Sequence, residues 1–248
     1  MTRLVGAEIF KLRTTRTFYG LVSAALGLVL LIVVVASATA HETDITLRDV
    51  IGISGFAQVF ALVLGILAVT SEFRHGTITP TLLVVPDRAR LTLAKLVAAL
   101  ATGLALGLAA TGLAAVIGDL ILGARNIDTG VSGSQVVKMV IGSVVAAGLY
   151  AALGVGVGAL VRNQVGAIVG TLVYLFVLEN LLNIVRPARD AVAKFGFGGL
   201  GNGLTGSADP NASHPPLHQV PAGLVLAGYC AVFLVAGILL MRRRDVSS

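Results

Sequence analysis

FYGLVSAALGLVLLIVVVASATA, residues 18–40, is 23 residues long and carries no charge. At ~1.5 Å per helical residue it can cross a hydrocarbon core of about 30 Å. A basic leader precedes it, and Ala38-Thr39-Ala40 has the small-residue form of a cleavage site. A signal core, however, is only about 7–15 residues, and Glu8 is foreign to a positive leader, so the segment is expected to remain as an anchor. Five more stretches of the same kind follow, at Val50–Ser71, Leu96–Gly118, Met139–Val161, Val165–Val185 and Val220–Met241. Backbone amides in lipid must bond internally, and none of these runs has the dyad alternation of a membrane barrel, so each is read as a helix. The composition agrees: of 248 residues 56% are hydrophobic and 12% charged, whereas a soluble domain carries about 25% charged residues. The expected fold is all-α and integral to the membrane, with residues 1–248 as a single domain of six transmembrane helices.

The net charge is +6 and the isoelectric point near 10.0, yet the lysines and arginines sit in short clusters between apolar runs. That pattern fits loops held against an anionic leaflet and excludes a nucleic-acid surface. Six spans put both termini on one side. With the termini inside, the inner segments hold twelve of the eighteen basic residues and the outer segments six, beside seven of the twelve acids. A multi-pass protein of the cell membrane with both termini cytoplasmic is the better fit. The lone cysteine, Cys230, lies inside an apolar run and is read as packing.

Two polar segments on the inner side carry the most information. In the first, residues 2–16, Val5, Ile9 and Leu12 share one helical face, with Glu8 and Lys11 paired off to another side. An interface helix along the inner leaflet is one reading; a basic flank that only fixes topology is the other. The second is the loop from Glu72 to Lys95. Gly76 can break the second span, Thr79 can cap a helix, Pro80 suits a first helical position and Pro86 stops the turn. The short helix between them holds Leu82, Leu83, Val84 and Val85. About six residues span only ~9 Å, too little to cross a bilayer. Asp87 then caps the next helix, and Arg88, Arg90 and Lys95 mark the inner end of the third span. Physics alone leaves two readings even: a loop tucked against its own bundle, or a helix presented to a soluble partner.

Glu72, Gly76, Thr77, Leu82, Leu83, Pro86, Arg88 and Lys95 together resemble the loop between spans two and three of type-2 ABC exporter permeases. The resemblance extends to the basic N-terminal segment with Glu8 and Lys11, and to Gly158-Ala159-Leu160-Val161-Arg162 at the turn between spans four and five. It implies that the 72–95 loop is a coupling helix, with Glu72, Gly76, Thr77, Thr79, Pro80, Leu82, Leu83, Pro86 and Arg88 contacting an ATPase. It also implies a dimer with a second permease subunit and separate ABC ATPase subunits that use ATP and Mg. The chain has no GxxxxGK[ST] loop, so no cofactor is expected on it. Gly196-Phe197-Gly198-Gly199-Leu200-Gly201 matches GxGxxG but has no strand before it, which argues against a dinucleotide site.

Glu179 is the one ionisable side chain well inside a span, and Asn180, Asn183 and Arg186 continue a polar face toward the outer end. This is a candidate polar cluster, either structural or on the substrate path. His214 and His218 have the spacing of a helical zinc pair, but Pro215 and Pro216 between them oppose a helix. The loop from Arg186 to Gln219 reads as a lid with a short helical piece near Asp190 to Phe195. Small-xxx-small pairs at Gly103/Gly107, Gly154/Gly158 and Gly166/Gly170 suit close helix packing or a dimer interface. HExxH, GxSxG and a Cys/His couple are all absent, so the chain is not read as an enzyme. A non-transporting scaffold or immunity-type subunit of an ABC complex is the nearest alternative to a permease. A small secondary transporter is less favoured, because no repeat is visible.

Overall fold

Six helical stretches long and apolar enough to cross a membrane organise the chain: Arg16–Thr39, Leu47–Arg74, Arg88–Ala124, Gly133–Val161, Gln164–Ile184 and Gln219–Leu240. The structure is a computed structural model. It describes residues 1–39, 45–77, 83, 85, 87–127, 131–207 and 213–243, with side chains to 240. All regular structure among the described residues is helical. The elements are α1 (Thr2–Thr14), α2 (Arg16–Thr39), α3 (Leu47–Gly52), α4 (Phe56–Arg74), α5 (Arg88–Ala124), α6 (Gly133–Val161), α7 (Gln164–Val173), α8 (Glu179–Ile184), α9 (Arg189–Phe195), α10 (Phe197–Thr205) and α11 (Gln219–Arg243). A 3-10 turn at Ile53–Gly55 joins α3 to α4 as one span, and a π-turn at Tyr174–Leu178 joins α7 to α8.

In the third span the helix and the apolar run begin at different places, as the cap expected at Asp87 requires. Its apolar run begins at Leu96, but the helix starts eight residues earlier at Arg88. Asp87 is the reason: its Oδ1 accepts from the Ala89 and Arg90 amides at 3.0 and 3.2 Å and satisfies two of the unpaired N–H groups of the first turn. Hydropathy reports where lipid begins, whereas the cap decides where the helix begins. At 37 residues α5 is ~55 Å long and stands out of any hydrocarbon core.

The hub of the bundle is α6, which packs against α4, α5, α10 and α11. Its buried face is built of small residues, among them Ala146, Ala147, Ala151, Gly154, Gly158 and Ala159. Lipid supplies no hydrophobic drive between helices, so close contact of backbones must hold them together. Gly65 of α4 and Gly154 of α6 face each other so closely that a Cβ on Gly154 would overlap the Leu62 carbonyl, and one on Gly65 the Ala151 carbonyl. Gly158 continues this seam, and Gly103 and Gly107 form a second one between α5 and α6. These two pairs therefore serve packing within the chain. The third does not: around Gly170 there is open space.

The two ends of the bundle are distinct. At the end holding α1, Arg74 and the start of α5, the Arg162 guanidinium donates to the Leu240 carbonyl at 3.4 Å and stacks 5.3 Å from the Phe73 ring centroid. The first helix and the C-terminal end of the last thus lie at the same end of the bundle, called here the basic end. At the opposite end Arg125 donates to the Ser37 carbonyl at 2.7 Å, and Gln219 to the Lys138 carbonyl at 3.1 Å.

Leucine at Gly154 is expected to force α4 and α6 apart, while leucine at Gly170 enters free space. Overpacking of about 1–3 kcal/mol corresponds to a drop of roughly 2–12 °C in melting temperature for a chain of this size. Thermal unfolding in detergent should show that drop for Gly154→Leu and a change near zero for Gly170→Leu.

Candidate functional site

A charge cluster closes the basic end. Lys95 of α5 is 2% exposed, Glu72 of α4 1% and Glu8 of α1 7%. The Lys95 ammonium donates to Glu8 Oε2 at 2.8 Å and to Glu72 Oε1 at 2.7 Å, so one side chain ties three helices. Lys11 also donates to Glu72 Oε1 from the half-exposed side of α1. Glu72 Oε2 is buried without a hydrogen-bond partner among the described residues. The four formal charges cancel, as burial in low dielectric requires.

This arrangement corrects two sequence readings. Glu8 and Lys11 do not pair with each other; each reaches across to a different helix, because α1 docks on the bundle and turns both side chains inward. Lys95 is no simple topology charge but the centre of the cluster. Partners 23 to 87 residues apart leave no local pattern. One signal was available: Glu72 and Lys95 flank a single loop at the same end of adjoining spans, where an acid and a base near lipid seek each other.

The loop between them is anchored at both stems. The α4 end closes with the Thr77 amide on the Glu72 carbonyl at 3.0 Å and Gly76 at φ +66°, a left-handed cap that suits glycine. Arg88 opens α5 behind Asp87. Of the expected contact residues, Thr79, Pro80, Leu82 and Pro86 lie outside the described residues, and the short helix expected there falls with them. Leu83 is 82% exposed.

At the opposite end Glu179 is buried, but its partners are not those expected. Its Oε1 accepts from the Phe197 amide and its Oε2 from the Gly198 amide at 2.8 Å, so the carboxylate seats the N-terminus of α10. Those two amides are unpaired donors at the positive end of a helix dipole, which suits an acid. The Tyr150 hydroxyl donates to the Phe197 carbonyl and holds the same turn. The GxGxxG run is explained here: Gly196 precedes α10, and a Cβ at Gly201 would lie 2.7 Å from Gln58 Oε1. The glycines let this short helix sink into the bundle, with Leu200, Gly201, Gly203 and Leu204 buried.

Asn180, Asn183 and Arg186 are exposed. Asn180 donates to the Phe176 carbonyl at 2.8 Å and, with Asn183, lines a cavity of about 430 Å³ beside Glu179. Arg186 does not join them. The helix stops at Ile184 and Val185 is extended, because Pro187 has no N–H to donate to the Asn183 carbonyl, which accepts from Arg189 instead, and Arg186 opens a 3-10 turn. The expected helical piece near Asp190 to Phe195 is α9, and α10 was missed because its glycines read as loop. His214 Nδ1 hydrogen-bonds the Asp190 carboxylate, which holds that carboxyl below the usual aspartate range.

One comparison bears on this geometry. Residues 4–178, from α1 through the π-turn, match the family model described as ABC-2 family transporter protein. The chain belongs to the ABC-2 transporter family. None of the curated proteins matches it. The protein is thus a multi-pass membrane component of an ABC transporter, and the charge cluster and the loop it flanks lie inside the matched region. Glu179 and the α10 seat lie just beyond it. ABC-2 permeases associate with ABC ATPases, which makes the basic end, with its anchored loop, the candidate site.

Lys95→Met should leave two buried carboxylates facing each other with only Lys11 nearby. Removing one partner of a buried ion cluster costs about 3–5 kcal/mol. Adding Glu8→Gln should recover part of that loss, which a double-mutant cycle on unfolding in detergent would read; additive losses would show that Lys95 acts independently of Glu8. At the other end Glu179→Leu should expose residues 186–219 to faster proteolysis than Glu179→Gln, since only the glutamine keeps an acceptor for the α10 amides.

Proposed function

We propose that the chain is the transmembrane half of an ATP-driven exporter, forming the substrate path as a dimer with a second permease subunit. Separate ATPase subunits hold ATP and Mg, and this chain carries neither cofactor nor catalytic residues. Both termini and the 72–95 loop face the cytoplasm, in keeping with the twelve-to-six split of basic residues.

The observation that supports this reading best is the tie of Lys95 to Glu72 and Glu8 across the two stems of the loop and α1. Force applied to a loop on independent stems would dissipate in bending. With the stems bridged, movement of the loop carries the ends of α4 and α5 together with α1. The ATPase subunits would press on this loop as they close, and the bridged stems would turn the push into a tilt of spans two and three. The exposed Leu83 belongs to the apolar run Leu82 to Val85, which a groove in a soluble subunit would cover.

Purification of the tagged chain from native membranes should bring an ABC ATPase subunit with it, detected by mass spectrometry. Leu82→Asp with Leu83→Asp is expected to leave insertion and melting temperature unchanged, because neither side chain belongs to a span, and to abolish that co-purification. Recruitment of the ATPase by the double variant at the wild-type level would overturn the coupling assignment.

A further inference from the structure

We infer that the cleft between α1, α2, α4 and the start of α7 is a binding site for one anionic phospholipid. The cleft is a cavity of about 340 Å³ whose polarity is graded along the bundle axis. Lys11, Arg74 and His75 line it at the basic end; Phe18, Leu64 and Leu67 line it deeper. Leu64 precedes Arg74 by ten residues, ~15 Å of helix, which is about half of a 30 Å hydrocarbon core and so the depth of one leaflet. A small soluble anion would use only the cationic end. A phospholipid matches both ends, with its phosphate at headgroup level and an acyl chain along the apolar wall.

Charge and hydrogen bonding narrow the headgroup. Arg74 has no ion-pair partner among the described residues. The one acid in the lining, Glu8, is taken up by Lys95. Lys11 is likewise taken up by Glu72, so the net positive charge of the cleft comes from Arg74, in keeping with basic lipid pockets between spans near an anionic leaflet. Gln164 also lines it, and its side-chain Oε1 is buried with no hydrogen-bond partner among the described residues. An unmet acceptor in such a place calls for a donor. The glycerol headgroup of phosphatidylglycerol offers hydroxyl donors and a phosphate; the choline headgroup offers no donor and carries no net charge. The inference rests on the membrane spans alone and holds whether or not the chain exports anything.

The test is native mass spectrometry of the full-length chain, delipidated in detergent and titrated with phosphatidylglycerol, phosphatidylcholine or inorganic phosphate. One phosphatidylglycerol per chain is expected to bind in preference to phosphatidylcholine. Arg74→Gln should weaken that binding about fivefold, the effect of one basic residue near a lipid surface, whereas Lys138→Gln at the opposite end should not change it. Leu67→Trp, which fills the apolar part, should also weaken it while leaving the melting temperature within a few degrees of wild type. Equal binding of the two lipids, or unchanged binding in Arg74→Gln, overturns the proposal. So does inorganic phosphate binding as tightly as the lipid, which would mark a free-anion site.

Discussion

An ammonium group held out of water between two carboxylates can survive only if all three stay together. Lys95 is that group, and its position sets where α1, α4 and α5 lie relative to one another. A buried ion cluster of this kind is a poor source of net stability, since desolvation of the charges offsets most of their attraction. Its value is geometric. Apolar contacts would allow α1 to slide along the bundle with little change in energy, whereas the hydrogen bonds from Lys95 admit one register. The rest of the basic end follows from that register: the capped stop at Gly76, the start of α5 behind Asp87, and the exposed loop between them.

The opposite end meets the same electrostatic problem in another way. Among the described residues Glu179 has no cationic partner; two backbone amides and the dipole of α10 take that role. Backbone donors cannot move independently of their helix, so the acid fixes a whole element and not a single side chain. The π-turn just before Glu179 adds one residue to a helical turn and so rotates the face on which the carboxylate emerges relative to the face of α7. Between the two ends the bundle relies on close backbone contact along the Gly65–Gly154 seam, which adds no charge to the hydrocarbon.

Much of this architecture was legible in the sequence because lipid imposes it. All six spans, the capping role of Asp87, the helix break at Gly76 and the helical piece at Asp190 follow from local rules of hydropathy and capping that need no knowledge of the fold. The misreadings share one cause. The pairing of Glu8 with Lys11 and the polar face from Glu179 to Arg186 were inferred from spacing along one helix, and in each case the third dimension supplied a better partner. Lys95 was hidden by its position, since a lysine at the mouth of a span ordinarily marks a membrane boundary. The glycines of α10 misled in the opposite direction: residues poor in helix propensity form a helix there because a side chain would not fit at Gly201 beneath Tyr150 and Gln58, at Gly199 against the Ala193 carbonyl or at Gly203 against the Leu217 carbonyl.

The two ends differ in what they can transmit. At the basic end the ties run between side chains of separate helices, so that α1, α4 and α5 move as a unit, and the loop that joins α4 to α5 projects from that unit. At the other end the tie runs from a single helix to a short element inserted among the spans, on a span whose exposed Val169, Val173 and Val177 leave it lightly packed. The two ends thus differ in construction: three helices are bridged by side chains at one, while at the other a short helix is seated on a span that is exposed along one side. The family match runs through α1 to the π-turn, so it takes in the bridged helices and stops at Leu178, one residue before Glu179. The charge cluster lies within the matched residues 4–178, and the α10 seat lies beyond them.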